Sequence, residues 1–513
     1  MPRREGKAMT PGGKASARQE RSTAALDRGP LNSLAGRSAK GLLWTVSGQW
    51  GSQSLRLVTT IVLARLLTPD DYGLMAMVWA ITGFVSTVGS LGLSEAVLQR
   101  RHLTHEQTSA LFWLNVCLGL VLTLLVAAGA PLIAAFYGRS ELVQITWALS
   151  VTFFLGGLMV QHHALMLRRL NFRAVAVRAF VSTVVTTVVS IGVAFTGVGY
   201  WALVAGSLAG SVSSVIMAWR AVDWRPSFPR RAAGVRELIS FGGGISTFRI
   251  LDYAAKNVDN ILIGRFLGTA QLGLYTRAYG LLTLPLSQIH NPVANVVRPM
   301  MAALWPEPER YRRFYLTALQ GLCYLVMPLV VVMAVLATPV VGVLLGEQWL
   351  ESAEVFRWLA VAGLLQTVGY TNGWLYATSG RAWAMARWAL ISRPVIIAAF
   401  VIGLPWGITG VAIGYAASQL VLTPLGIARA GRGTPVSLPD VLGVCARPAV
   451  VAALAGTTAG LLVFAVGDQG SVVRLLVQGG AAVLVAAACV GLWPSARREV
   501  LDLVAAVRRR GDA

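Results

Sequence analysis

Four charged residues recur at helical spacing inside an otherwise apolar stretch of the chain. Arg249, Asp252, Lys256 and Asp259 fall within one arc of about 80° when successive residues are placed about 100° apart on a helix. The opposite face carries Ile250, Leu251, Ala254, Val258, Ile261 and Leu262. The charged face offers two kinds of chemistry, because cations bind phosphate oxygens and buried carboxylates bind protons or Na⁺.

A second cation lies 200 residues earlier on a face of the same design. Arg56 matches Lys256 at this offset, and each falls near the middle of an apolar run. The polar arc around Arg56 comprises Gln49, Ser52, Gln53, Thr59 and Thr60. Two cations at matched depth suit an anionic head group such as a pyrophosphate. We therefore predict a substrate cavity formed by Arg56, Arg249, Lys256, Gln53 and Gln49.

The carboxylates Asp252 and Asp259 admit two interpretations. Both lie three or four residues from Lys256 along the helix, so they can form ion pairs with it. Such a charge network would only stabilise the packing of the helices. Alternatively, one of them carries a coupling ion, H⁺ or Na⁺. Weaker cavity candidates are Asn260, Arg277, Glu354 and Arg357. We predict no catalytic residue, no metal site and no bound cofactor, and the chain has no Walker-type phosphate loop.

The elements that carry these residues are membrane-spanning helices. Of the 513 residues, 55% are hydrophobic and only 13% are charged, whereas a soluble domain carries about 25% charged residues. Apolar runs of about 20 residues are long enough to cross a bilayer. The fourteen predicted helices lie near 41–67, 72–93, 109–130, 142–165, 175–195, 200–219, 238–267, 272–297, 315–337, 354–377, 384–404, 408–428, 448–466 and 472–492. The segments 131–137 and 340–346 are too short to span and are expected at the interface.

The positive charges predict the orientation of these helices. The net charge is +22, and 34 of the 44 Lys and Arg residues fall in the termini and in alternate loops, while the other set of loops holds Arg139 alone. This distribution follows the positive-inside rule and places both termini in the cytoplasm. It removes the need for a nucleic-acid partner to explain the charge. Residues 1–40 read as a disordered basic cytoplasmic tail, and 493–513 as a second basic tail.

An internal repeat organises the helices. The stretch from Val62 to Met75 resembles Leu262 to Tyr275, with Arg65, Leu67, Gly73 and Leu74 repeated at an offset of 200. Six helices per copy is an even number, so both copies cross the membrane in the same sense. We predict an all-α polytopic membrane protein with two parallel six-helix repeats and a cavity between them. The predicted divisions are an N-lobe at 41–233, a C-lobe at 234–430 and two extra helices at 431–492.

Two blocks of sequence resemble the polysaccharide transporter family. They are Gly48-Gln-Trp-Gly-Ser through Leu74 with Gly92-Leu-Ser-Glu-Ala-Val-Leu-Gln99, and Asp259 through Tyr279. This family contains Wzx-type O-antigen flippases and colanic acid exporters, within the multidrug/oligosaccharidyl-lipid/polysaccharide (MOP) exporter superfamily. The resemblance implies a fold like those of MATE and MurJ transporters. It also implies transfer of an undecaprenyl-pyrophosphate-linked oligosaccharide across the cytoplasmic membrane by alternating access. The acidic Asp252 and Asp259 depart from a purely cationic cavity.

The expected partners are the lipid-linked oligosaccharide, membrane lipids, and the polymerase and assembly proteins of the same polysaccharide. Three alternatives stay open at this level. A lipid II flippase and a multidrug or cation antiporter belong to the same superfamily, although antiporters usually have twelve helices. A membrane polymerase or ligase is disfavoured because the outward loops are short, the longest being 338–353. The protein is expected to be a transporter and not an enzyme.

Overall fold

The computed structural model describes residues 34–89, 104–228, 253, 257–466 and 470–492. These residues form helices joined by short connections, and none of them is in a strand. Each of the fourteen predicted spans has a helical counterpart among them, labelled here α1 to α14. They are α1 (Leu34–Leu66), α2 (Pro69–Gly89), α3 (His105–Tyr137), α4 (Glu141–Arg168), α5 (Phe172–Ala194), α6 (Trp201–Ala221), α7 (257–266), α8 (Thr269–Leu304), α9 (Pro308–Val335), α10 (Glu351–Tyr370), α11 (Ala382–Gly403), α12 (Gly407–Gly431), α13 (Leu438–Val466) and α14 (Ser471–Leu492).

Two short helices lie between the long ones, at Ala337–Leu344 and Asn372–Thr378. The first of them covers most of the segment 340–346, which is too short to span. The expectation of a separate interfacial segment at 131–137 is wrong, because α3 continues through Pro131 to Tyr137. Gly138 ends that helix with a φ of 70°, a conformation that glycine adopts without strain.

The apolarity of the helices separates them into two groups. Among the described residues, eight helical segments are long and apolar enough to cross a membrane, with α11 and α12 counted as one segment. The long helices α1, α2, α8 and α10 are outside this set. Polar side chains in a span must be shielded from lipid by other helices or by water. These four helices are therefore the places where a polar site is expected.

Local sequence sets where several helices begin. At α3 the Thr104 side chain accepts a hydrogen bond from the Gln107 amide, and the Gln107 side chain accepts one from the Thr104 amide, both at 3.2 Å. This reciprocal pair is a capping box. At α2, Thr68 and Asp71 form the same arrangement around Pro69 at the first helical position.

The chain divides into two compact units. Unit 1 consists of Met1–Leu67 and Leu74–Asn257, and unit 2 consists of Thr68–Gly73 and Val258–Ala513. In unit 1, α3 packs closely on α4, because Gly119 lies against the backbone of Phe153 and Gly157 lies against the backbone of Asn115. The lobe boundaries predicted from the repeat are a separate division of the chain and stay a prediction.

In unit 2, the extra helix α13 packs along α9. Arg312 forms a two-pronged ion pair with Asp440, with nitrogen–oxygen distances of 3.1 and 2.5 Å. Further along the same pair of helices, the sulfur atoms of Cys323 and Cys445 lie 3.7 Å apart. The sequence showed no paired spacing for these cysteines, since they are 122 residues apart. Their proximity arises only from the packing of α9 on α13.

Two glycines of the repeat meet at one helix crossing within unit 2. A Cβ added to Gly73 would overlap the carbonyl oxygen of Thr269, and a Cβ added to Gly273 would overlap that of Pro69. The two contacts exchange partners at the same offset of 200 residues. Such reciprocity is what a two-fold relation between repeated segments produces. Asp70 also accepts a hydrogen bond from the Thr269 hydroxyl at this crossing.

We predict that Gly273→Ala destabilises the protein and that Gly280→Ala does not. Both glycines lie in α8, but a Cβ at Gly280 meets no atom within 4 Å. Overpacking at a rigid backbone contact costs about 1–3 kcal/mol, so the melting temperature of Gly273→Ala should fall by about 2–5 °C. Thermal unfolding of the purified variants in one detergent measures this difference. Equal melting temperatures would show that the crossing is not tightly packed.

Candidate functional site

The predicted site residues fall in three groups. Arg249, Asp252 and Lys256 lie outside the described residues. Gln49, Gln53 and Arg56 are on α1 of unit 1. The remaining members are in unit 2, and they are Asp259, Asn260, Arg277, Glu354 and Arg357.

In unit 1, one side of α1 packs against α5. Gly48 lies against Ala176, and the Thr59 and Thr187 hydroxyls are 2.6 Å apart. The residue numbers rise together along both helices, so α1 and α5 run in the same direction. The positions around the helix axis of α1 can be given as angles, with Gly48 at 0° and about 100° added per residue. On this scale Thr59 lies at about 20°, so both residues that contact α5 are on the same side of α1.

The predicted cavity residues of α1 lie to one side of that contact. Their angles around the helix axis lie between about 80° and 140° from Gly48, in the order Arg56, Gln49 and Gln53. Gln49 and Arg56 are exposed and Gln53 is half-buried. Among the described residues, Arg56 has no carboxylate partner. Its guanidinium is therefore available to an anionic ligand.

In unit 2, Asp259 is buried and bonded to a neutral donor. Its carboxylate accepts a hydrogen bond from the Tyr275 hydroxyl at 3.0 Å and one from the Asn260 amide at 2.9 Å. Asp259 is only 5% exposed and Tyr275 is fully enclosed. Within the described ranges no Lys or Arg lies at ion-pair distance from Asp259. The pairing of Asp259 with Lys256 stays a prediction, because Lys256 is outside these ranges.

A cluster of tyrosines surrounds this carboxylate. The rings of Tyr275 and Tyr279 stack one turn apart on α8, with centroids 6.3 Å from each other. The Tyr415 hydroxyl on α12 accepts hydrogen bonds from Gln366 at 3.0 Å and Gln419 at 3.1 Å. The cluster was not predicted from the sequence, because its tyrosines come from two helices, α8 and α12, and the carboxylate comes from a third, α7. The only sequence signal was the spacing of four residues between Tyr275 and Tyr279.

Arg277 is held by an aromatic ring. Its guanidinium carbon lies 4.2 Å from the centroid of the Tyr72 ring, and Tyr72 meets Trp349 edge to face at 5.4 Å. A guanidinium over an aromatic face gains cation–π stabilisation. Arg277 thus supports the packing beside the glycine crossing, since Tyr72 adjoins Gly73.

Glu354 and Arg357 form an exposed ion pair. Their side-chain atoms are 2.6 Å apart, and the side chains are 51% and 43% exposed. Arg357 also donates to Thr338, and Trp358 donates to Glu354. Exposed ion pairs of this kind contribute about 0–1 kcal/mol. The structure places both residues together at the start of α10, with their charges satisfied by each other.

One of the 34 cations counted in the termini and alternate loops lies within the helix bundle of unit 1. Arg178 on α5 donates a 2.5 Å hydrogen bond to Ser214 and approaches the sulfur of Met159 at 3.3 Å. In the described part of the chain it has no carboxylate partner. Its position five residues after Arg173 had suggested a cytoplasmic segment. No cluster of His, Cys, Asp or Glu suited to a metal occurs among the described residues.

The fold is that of the MOP transporters. The structure matches the lipid II flippase MurJ in its inward closed conformation with a TM-score of 0.70 and 13% identity, covering 88% of this chain and 98% of MurJ. It matches the inward-facing conformation of a multidrug resistance MATE family transporter of the MOP superfamily with a TM-score of 0.61 and 16% identity, covering 78% of this chain and 95% of that transporter. These likenesses show the fold of the chain, which is all-α with several helices apolar enough to cross a membrane.

The family described as "Polysaccharide biosynthesis protein" matches residues 62–354, and the chain belongs to this family. Its relatives include the teichuronic acid biosynthesis protein TuaB of Bacillus subtilis, 27% identical over 69% of this chain and 73% of TuaB. The succinoglycan biosynthesis transport protein ExoT of Rhizobium meliloti is 26% identical over 68% of this chain and 70% of ExoT. The lipopolysaccharide biosynthesis protein WzxC of Escherichia coli is 25% identical over 77% of this chain and 80% of WzxC. Among these relatives, ExoT is named as a transport protein.

We predict that Asp259 and Tyr275 are energetically coupled. Removing the phenol leaves a buried carboxylate without its donor, while removing both groups leaves no such penalty. In a double-mutant cycle with Asp259→Asn and Tyr275→Phe, the coupling energy should be about 0.5–3 kcal/mol. Equilibrium unfolding of the four proteins in mixed micelles measures it. Additive effects would mean that the 3.0 Å hydrogen bond carries no net stabilisation.

Proposed function

We propose that this protein is a flippase that moves an undecaprenyl-pyrophosphate-linked oligosaccharide, a precursor of a cell-surface polysaccharide, across the cytoplasmic membrane by alternating access. The observation that carries the proposal is the coincidence of a polysaccharide biosynthesis family match with the fold of a lipid II flippase. The excess of Lys and Arg in one set of segments supports a cytoplasmic position for both termini.

The names of the relatives support a common lipid-linked end of the substrate. TuaB, ExoT and WzxC are named for teichuronic acid, succinoglycan and lipopolysaccharide. These polymers differ in their sugars, so a shared recognition element is best sought in the carrier and its phosphates. A cation inside a span is the group that binds such phosphates. Arg56, which has no described carboxylate partner, fits that role, and Lys256 is its counterpart in the repeat.

A buried carboxylate supplies a route for ion coupling. Asp259 lies in unit 2 with a phenol as its donor, so it can bind a proton or Na⁺ without breaking a described ion pair. Binding of the ion would remove a buried negative charge, which is costly in an apolar environment. We propose that Asp259 takes up H⁺ or Na⁺ during transport and that no other cofactor is required. The polymerase and assembly proteins of the polysaccharide are the proposed further partners.

Deletion of the gene in its host should abolish the surface polysaccharide and cause the lipid-linked precursor to accumulate in the inner leaflet. Wild-type protein should restore the polysaccharide, while Arg56→Ala and Lys256→Ala should reduce it by about tenfold or more, because each loses a charge-assisted phosphate contact. Polysaccharide immunoblots and precursor extraction give the two readouts.

The matched control for Arg56→Ala is Arg139→Ala, which removes a loop arginine whose nearest carboxylate, Glu141, is 3.8 Å away. This variant should restore polysaccharide like the wild type. If Arg56→Ala and Lys256→Ala both restored the polysaccharide fully, the proposed flippase function would stand, but the proposal that these two cations bind phosphate would be wrong. An unchanged polysaccharide level in the deletion strain would contradict the flippase, and lipid II transport and drug efflux would then be measured.

Asp259→Asn should abolish the dependence of transport on the coupling ion. An amide is neutral in every condition, so the variant cannot gain or lose a charge at this position. Transport into proteoliposomes should rise with an imposed H⁺ or Na⁺ gradient for wild-type protein and stay at the gradient-free rate for Asp259→Asn. A gradient response of normal size in the variant would place the coupling site elsewhere.

A further inference from the structure

Unit 1 contains a cavity that Arg56 does not line. Its volume is about 460 Å³, within the range of about 300–1,000 Å³ found for small-molecule sites. Residues of α2, α3 and α4 line it, together with Tyr253. Asn115 lines it ten residues after the start of α3, about 15 Å along the helix, so the cavity reaches the middle of the predicted span.

The described part of the cavity wall is neutral. Among the described residues that line it, none is Lys, Arg, Asp, Glu or His. A pyrophosphate or a metal ion would need charged ligands, so neither matches this wall. The wall instead combines aromatic rings with hydroxyl and amide groups, which is the usual composition of sites for neutral polar ligands.

The polar groups of the wall are arranged to accept hydrogen bonds. The hydroxyls of Thr82 and Thr152 donate to backbone carbonyls of their own helices at 2.8 and 2.5 Å, and Tyr253 donates to the Trp79 carbonyl at 3.1 Å. The hydrogen of each hydroxyl is therefore used in a hydrogen bond to a carbonyl, and the oxygen retains lone pairs that can accept a hydrogen bond from a ligand.

Asn115 is a buried polar residue of the cavity wall with an acceptor atom open to a ligand. It is 7% exposed, its amide nitrogen donates to the Leu111 carbonyl at 2.8 Å, and its side-chain oxygen has no donor among the described residues. This amide oxygen can accept a hydrogen bond from a ligand in the cavity. The indole nitrogen of Trp79 likewise has no described acceptor, so it can donate to the same ligand.

We propose that this cavity binds neutral sugar units of the lipid-linked oligosaccharide, while the predicted cationic residues take its phosphates. The inference rests on the proposed function. Sugar hydroxyls donate to the threonine, tyrosine and asparagine oxygens, and the rings of Trp79 and Phe153 cover the apolar face of a sugar. Binding the sugar in one place and the phosphates in another orients the substrate along unit 1.

Gly156 allows the cavity to be filled without disturbing its wall. It lines the cavity, and a Cβ added there meets no atom within 4 Å. Gly156→Leu therefore places a side chain in the open space. Gly192→Leu is the matched control, since Gly192 is an exposed glycine of α5 that also has no atom within 4 Å and does not line the cavity. Both changes replace a helical glycine with a better helix former.

The binding experiment uses the repeat-unit oligosaccharide released by mild acid from the lipid-linked precursor, without lipid or phosphate. Saturation-transfer NMR with protein in lipid nanodiscs avoids sugar-headed detergents. Wild type and Gly192→Leu should show equal signals, Gly156→Leu should lose at least about nine-tenths of the signal, and Asn115→Leu should bind about two- to tenfold more weakly. Inorganic pyrophosphate should not displace the oligosaccharide. Equal signals for wild type and Gly156→Leu, or displacement by pyrophosphate, would overturn the proposal.

The transport readout separates this inference from the proposed function. The gene deletion tests the flippase before any cavity variant is made, and Arg56→Ala tests the phosphate site. With both results as expected, Gly156→Leu should fail to restore polysaccharide while Gly192→Leu restores it. Full rescue by Gly156→Leu would refute the sugar site and leave the flippase intact. Loss of co-purifying phospholipid in Gly156→Leu, without any sugar signal in wild type, would show that the cavity holds an acyl chain and would also refute the proposal.

Discussion

The organisation of this protein depends on the cost of placing a polar group in a membrane. A charge at the bilayer centre costs about 2.5–3.5 kcal/mol on insertion scales, so each one must be paired, hydrated or surrounded by protein. The described residues show different solutions to this constraint. Asp259 receives a phenol, Arg277 lies on an aromatic ring and Arg178 donates to a serine. Arg56 alone among these four has no described partner of any such kind, which is why its role is assigned to a ligand.

Small residues allow the helices to pack closely. Helices with polar faces need this close packing, because it excludes lipid from those faces. Membrane helices gain little from burying apolar side chains against one another, so close backbone contact and dispersion forces hold them together. Gly119 and Gly157 serve this purpose between α3 and α4, while Gly73 and Gly273 serve it at the crossing in unit 2. The second pair is repeated in the sequence and reciprocal in space. A duplicated segment has thus kept the same residue for the same contact in both copies.

Helical periodicity explains why the helices and the glycine crossing could be predicted from the sequence and why contacts between distant helices could not. Length and apolarity predicted fourteen helices, and the 200-residue offset pointed to Gly73 and Gly273 before their contact was known. Contacts between distant helices leave no such signal. Tyr275 is 16 residues from Asp259, Cys445 is 122 residues from Cys323, and neither pairing follows from the spacing along one helix. Arg178 was counted with the basic residues of the segment 166–178, yet α5 begins before it at Phe172.

The division of polar chemistry between the two units bears on how transport can be driven. Unit 1 holds the open cation Arg56 and the neutral cavity around Asn115, whereas unit 2 holds the buried carboxylate Asp259 with its tyrosines. A ligand changes a conformational equilibrium only through its different affinity for the two states. If substrate and ion act on groups in different units, each can bias the equilibrium without competing for the same atoms. Each binding free energy then contributes to the same conformational equilibrium, and this coupling is reciprocal between substrate and ion.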